Sequence, residues 1–114
     1  MSTESFLEVT LYVADVRRSA AFYRAAGIPL FDREDGMRFH VDGGIGVTAL
    51  QLYPAVVKPV SSVQLGFRVT DIGILVSALT EIGADFETPG PRRLTTQDPD
   101  GNRVHFSEIV RSGP

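Results

Sequence analysis

The chain has 114 residues, the length of a single domain with just enough material for a sizeable core. Hydrophobic residues make up 43% and charged residues 22%, a globular balance that argues against disorder. A net charge of -3 leaves no basic excess for a phosphate backbone, so nucleic acid is not an expected partner; with no cysteine there are no disulfides, thiolate metal sites or thiol nucleophiles.

The opening stretch MSTESFLEV has neither a basic nor an apolar signal region, and no apolar run approaches the roughly 18 residues of a membrane span. A cytoplasmic protein without membrane contact is expected. Residues 6–13, FLEVTLYV, alternate as a strand. Leu7, Val9, Leu11 and Val13 form a row suited to a dry core. Glu8, Thr10 and Tyr12 form a wetter row. Asp15 reads as an N-cap, and Val16, Ser19, Ala20, Phe22, Tyr23 and Ala26 follow at helical spacing. Gly27 closes a helix over 16–26, because glycine accepts positive φ without steric cost. Phe22 and Tyr23 are assigned to the core or an interface.

Short strands are predicted next, over Ile28–Phe31, Met37–Val41 and Val47–Tyr53. In the second, Arg38 and His40 lie on the polar row. In the third, Gln51 and Tyr53 lie opposite Leu50 and Leu52. The DGG at 42–44 reads as a hairpin turn, and PAVVKPVSS at 54–62 as a linker. The pattern then restarts. Val63–Val69 is a strand with Gln64, Gly66 and Arg68 on its polar row. Asp71 caps a helix whose stripe is Ile72, Leu75, Val76, Leu79 and Ile82, and Gly83 stops it. Strands over Ala84–Glu87, Arg92–Thr96 and Arg103–Ile109 follow, with DPDGN at 98–102 as a turn. The arginine pairs at 17–18 and 92–93 read as solvated surface.

The two halves repeat. Val13, Asp15 and Gly27 match Val69, Asp71 and Gly83 at a constant separation of 56, and Glu8 falls on Gln64 by the same shift; Gln51 pairs with His105 at 54. Each half reads β-α-β-β-β, and one helix covers only one face of a four-stranded sheet. The expected fold is therefore α+β: module one over about 6–53, the linker, and module two over about 63–109, within one domain. The paired half-barrels are expected to form a cup. A ferredoxin-like α/β sandwich, which also alternates strands with two helices, is the competing arrangement.

LEVTLYVADVRRSAAFYRAAGIPL, and VQLGFRVTDIGILVSALTEIGADF followed by TTQDPDGNRVHF, resemble the two modules of the vicinal oxygen chelate superfamily. This is the group of glyoxalase I, the bleomycin resistance proteins and the extradiol dioxygenases. The resemblance covers about residues 6–108 and implies a homodimer with ligands bound in the cups. It also implies that metal-dependent members take their ligands at Glu8, Gln51, Gln64 and His105. Dioxygenases and fosfomycin-modifying members typically carry His, His and Glu where this chain has Glu8, Gln64 and His105. Two of the four donors here are neutral amides, giving weak charge compensation for zinc, nickel or manganese and no two-His, one-carboxylate iron site.

Two functional expectations follow. In one, no metal cofactor is used and a small aromatic organic molecule is sequestered, as in the drug-binding resistance members, by Glu8, Thr10, Tyr12, Arg38, His40, Gln51, Tyr53, Gln64, Arg68 and His105. Gly66 leaves room where the first module has Thr10. In the other, a divalent metal held by Glu8, Gln51, Gln64 and His105 serves a lyase, isomerase or epimerase; Glu8, the one carboxylate, would then have to act as both ligand and base. A structural dimer with an unused cavity is a third class. P-loop, dinucleotide-binding and serine-hydrolase motifs are absent from the sequence.

Overall fold

The computed structural model describes residues 1–34 and 38–109. They divide into two compact units, Met1–Ser61 and Ser62–Pro114. The first contains β1 (Glu8–Val13), α1 (Val16–Ala25), β2 (Phe31–Arg33), β3 (His40–Ile45) and β4 (Thr48–Pro54). The second contains β5 (Gln64–Val69), α2 (Ile72–Glu81), β6 (Phe86–Gly90), β7 (Arg93–Gln97) and β8 (Arg103–Glu108). Each unit holds one four-stranded sheet, in the orders β1-β4-β3-β2 and β5-β8-β7-β6. Its first and last strands run parallel and the remaining pairs antiparallel. This is the expected βαβββ duplication, and two separate sheets exclude the ferredoxin-like sandwich.

The helices begin and end as the sequence predicts, for the same local reasons in both units. Asp15 Oδ1 accepts from the Arg18 amide at 3.1 Å, and Asp71 Oδ1 from the Ile74 amide at 3.2 Å. At the C-termini, Gly27 and Gly83 adopt φ of 91° and 74°. Their amides, and those of Ile28 and Ala84 after them, reach back to helix carbonyls in a Schellman arrangement. The repeat in sequence is thus a repeat of capping chemistry.

Each helix covers one face of its sheet. In the first unit α1 packs on β3 and β4, over a layer that includes Leu11, Val41, Leu50 and Leu52, with Phe22 and Tyr23 buried beside them. In the second, Ile72, Leu75 and Leu79 are buried with Leu94, Val104 and Phe106. Ile82, predicted in that stripe, is instead 45% exposed because it already belongs to the C-cap. No helix among the described residues is long and apolar enough to cross a membrane.

Three strand predictions and one turn prediction need correction, the strand expected over Ala84–Glu87 running instead over Phe86–Gly90. Ile28 and Leu30 are buried, but pairing begins only at Phe31, so β2 is Phe31–Arg33. β3 starts at His40, which leaves Arg38 outside the sheet, and Met37 lies outside the described residues. The DGG at 42–44 is strand rather than turn: Asp42, Gly43 and Gly44 pair with Gln51, Leu50 and Ala49. Glycine serves close approach here, since a Cβ on Gly43 would lie 1.7 Å from the Pro29 carbonyl oxygen. The turn falls after the strand, at 46–47, where Gly46 has φ of 59°.

The 54–62 segment is also more tightly held than a free linker. Ser61 Oγ accepts from the Tyr12 amide and the Ser61 amide donates to the Tyr12 carbonyl, both at 2.8 Å, along β1. Between β7 and β8 the DPDGN turn is braced from inside. Asp98, buried, accepts from the Asp100 and Asn102 amides and from Asn102 Nδ2. Asn102 Oδ1 in turn accepts from the Val63 amide at 2.8 Å, which sets the start of β5 beside that of β8.

Gly43→Ala and Gly44→Ala separate close approach from strand propensity. The first is expected to destabilise by about 1–3 kcal/mol, because backbone must move to admit the methyl group. The second, whose Cβ would meet nothing nearer than 3.9 Å, is expected to change stability by less than about 0.5 kcal/mol. Urea unfolding of the two variants beside the parent measures the difference.

Candidate functional site

Strand alternation sends every second side chain to the sheet face opposite the helix. In the first unit, Glu8, Thr10 and Tyr12 of β1 share that face with Gln51 and Tyr53 of β4. The parallel register sets Thr10 beside Gln51 and Tyr12 beside Tyr53. Thr10 Oγ1 donates to Gln51 Oε1 at 2.8 Å. The tyrosine rings lie 6.4 Å apart between centroids, and His40 stacks on Tyr53 at 4.4 Å with 7° between planes.

His40 is 93% buried from solvent by this packing, at 7% exposure, although alternation alone assigns it to a wet row. Its Nδ1 donates to the Arg38 carbonyl at 3.1 Å, the oxygen having no proton to give. Its Nε2 lies 3.8 Å from Asp42, whose carboxylate also accepts from Arg33 Nε at 2.9 Å. The Lys58 ammonium stands 5.9 Å over the Tyr12 ring. This face is filled by its own side chains: hydroxyl to amide, ring to ring, guanidinium to carboxylate.

The second unit is built on the same register with different residues. Gln64, Gly66 and Arg68 pair with Arg103, His105 and Ser107. Thr95 and Arg93 of β7 lie beside His105 and Ser107. A Cβ on Gly66 would meet nothing within 4 Å. A pocket of about 670 Å³ opens over this glycine, lined by Arg68, Arg93, Thr95, Arg103, His105 and Ser107 among others. Pro89, in the irregular stretch of β6 where the register shifts between Glu87 and Gly90, contributes to its wall. His105 Nδ1 is hydrogen-bonded to Thr95 Oγ1 at 3.1 Å.

Of the ten residues singled out in the sequence, Glu8, Thr10, Tyr12, His40, Gln51 and Tyr53 lie on the first unit's face, and Gln64, Arg68 and His105 on the second's. Arg38 is exposed outside the strands. Glu8 and Gln64 sit at strand starts and are exposed; Gln64 does not line the pocket. Among the described residues no group of three His, Asp or Glu side chains is placed to hold a metal ion. Sequence reasoning missed Arg93, Thr95, Arg103 and Ser107. The signal was present, since all four occupy the polar rows of RLTTQ and RVHFSE, but Arg93 was absorbed into a surface arginine pair.

The family model of the Glyoxalase/Bleomycin resistance protein/Dioxygenase superfamily matches residues 5–106. The chain belongs to this superfamily. Solved structures of similar fold include TnmS3, an antibiotic binding protein from Streptomyces sp. CB03234. It is 22% identical with a TM-score of 0.73, over 96% of this chain and 99% of that one. A glyoxalase/bleomycin resistance protein from the same Streptomyces is 25% identical with a TM-score of 0.65, over 90% of this chain and 99% of that one. Lactoylglutathione lyase from Agrobacterium tumefaciens is 19% identical with a TM-score of 0.69, over 95% and 96% of the two chains. A search of curated proteins finds no match. The shared fold thus occurs in an antibiotic binding protein and in a lactoylglutathione lyase, and fold alone assigns neither role.

The Thr95–His105 hydrogen bond orients a ring that lines the pocket. Thr95→Val keeps the side-chain shape and removes the hydroxyl. It is expected to cost about 0.5–1.5 kcal/mol in urea unfolding, and to shift the His105 ring resonances in NMR spectra more than those of His40.

Proposed function

We propose that this member of the superfamily binds a small, aromatic organic molecule and holds it without transforming it, acting as a cytoplasmic homodimer that lowers the free concentration of its ligand. The observation that carries the reading is the open pocket over Gly66, whose volume of about 670 Å³ falls within the range of drug-sized sites. Guanidinium groups and a histidine ring around such a space suit stacking on a flat guest. The fold shared with an antibiotic binding protein supports an organic ligand.

The residues at the superfamily's metal positions do not fit a divalent ion. Gln51 Oε1 is already an acceptor for Thr10 Oγ1. Gln64 stands in register with Arg103, and His105 lines a pocket with Arg68, Arg93 and Arg103. Fixed cations at this range oppose a second positive charge. Glu8 and His105 are the only donors of the four that are not neutral amides. The reading therefore requires no metal, and no catalytic step is assigned.

A thermal-shift screen of aromatic antibiotics tests it. A ligand at a hundredfold its Kd stabilises the folded form by about 2.7 kcal/mol, and the melting temperature rises accordingly. Gly66→Phe is expected to abolish the shift while leaving the melting temperature of the free protein unchanged or higher, since it fills open space and removes a glycine from a strand. Sedimentation measures the dimer. Stoichiometric uptake of zinc, nickel or manganese that is lost in His105→Ala would transfer the protein to the metal-dependent lyase, isomerase or epimerase class.

A further inference from the structure

We infer that the guest of the second unit's pocket is an anion: an aromatic molecule bearing a carboxylate, sulfonate or phosphate group that Arg68, Arg93 and Arg103 receive. The inference rests on the small-molecule reading above and narrows its ligand class. The chain as a whole is acidic, with 14 Asp and Glu against 11 Lys and Arg. Yet the pocket lining contains three arginines and His105 and no carboxylate. Glu87, in register with Thr95 on β6, is exposed and does not line the pocket.

The contrast with the first unit is chemical. There, Arg24 pairs with Asp32 at 3.0 Å and Arg33 with Asp42 at 2.9 Å, while Arg17 lies 4.3 Å over the Phe39 ring. Among the described residues, Arg68, Arg93 and Arg103 have no carboxylate within ion-pair distance. Three like charges on one sheet face repel, and on the equivalent face of the first unit the one arginine among the described residues, Arg33, is paired with Asp42. They come from β5, β7 and β8, and register brings them around Gly66 and His105. A guanidinium fork matches the two oxygens of a carboxylate or phosphate. Ser107, between Arg68 and Arg93 in the ladder, adds a hydroxyl. A cationic guest meets the reverse: it would enter a positive field with no counter-charge in the lining, so the same residues reject it.

The test uses four probes of one ring system: 2-naphthoate, 2-naphthyl phosphate, neutral 2-naphthalenemethanol and the 2-naphthyltrimethylammonium cation. Binding to the full chain is measured by calorimetry or NMR titration. At least one of the two anions is expected to bind tenfold or more tighter than the neutral and cationic probes, and the pair shows whether planar or tetrahedral oxyanions are preferred. Raising the salt from 20 to 500 mM should weaken the anion several-fold, as screening demands. Arg68→Gln, Arg93→Gln and Arg103→Gln should each weaken it at least threefold, whereas Arg18→Gln on the exposed surface of α1 should not. Because all four arginines are exposed, unchanged melting temperatures are expected to confirm that the variants fold. Equal binding of all four probes would overturn the anionic assignment while leaving the small-molecule reading intact. Binding of none would overturn the anionic assignment too, and the antibiotic screen would then decide the broader reading separately. Loss of binding in Gly66→Phe without loss in the arginine variants would likewise overturn it.

Discussion

A β-strand has two faces and each module supplies one helix. That imbalance governs the rest of this structure. Leu11, Leu50, Leu52 and Val41 find an apolar cover in the first unit, as Leu94, Val104 and Phe106 do in the second. The opposite faces have no helix within their own unit. A face left so must be polar, must satisfy its own groups, or must receive something. The two units solve this differently. The first crosses it with internal contacts, and the second leaves a hollow.

The divergence becomes readable because the parallel pairing of first and last strands puts equivalent positions side by side. Thr10 beside Gln51 corresponds to Gly66 beside His105, and Tyr12 beside Tyr53 to Arg68 beside Ser107. A threonine that bonds across the ladder becomes a glycine with empty space above it. Two tyrosine rings become an arginine and a serine. Ala49 becomes Arg103, next to the position where Glu8 has become Gln64. Bulk leaves the centre of this face at Gly66, negative charge leaves with Glu8, and positive charge enters at Arg68 and Arg103. Duplication of one supersecondary unit thus supplies a scaffold whose caps and core are kept while one face is free to change.

Much of this was legible in the sequence because it depends on short-range chemistry. Asp15 and Asp71 as caps, Gly27 and Gly83 as helix stops, and the two rows of FLEVTLYV need nothing beyond a few neighbouring residues. The errors have a common physical origin in longer range. Asp-Gly-Gly is a strong turn signal in isolation, yet here the glycine answers to the Pro29 carbonyl, 14 residues earlier in the chain. The start of β3 at His40 rather than Met37 removed Arg38 from the sheet. His40 is buried because Tyr53 stacks on it, which alternation cannot foresee. The pocket arginines were invisible as a group for the same reason. Arg68, Arg93 and Arg103 are distant in sequence, and only ladder register makes them neighbours.

Charge placement carries the last step. An arginine on a sheet face costs little when a carboxylate lies across the next strand, as Asp42 does for Arg33. Without that partner the guanidinium keeps its hydration, and it exchanges water for ligand when a better-matched oxyanion arrives. In the first unit Asp32 and Asp42 pair with Arg24 and Arg33; among the described residues no such ion pair reaches the second unit's pocket arginines. Specificity in such a site comes from rejection as much as attraction, since a cation finds no counter-charge and a neutral ring gains only stacking. A fold known to serve both antibiotic binding and lyase chemistry can therefore be tuned toward one class of guest without altering a single core residue. The substitutions that do so lie on alternate positions of strands whose other positions are constrained by packing, which keeps the tuning separate from folding.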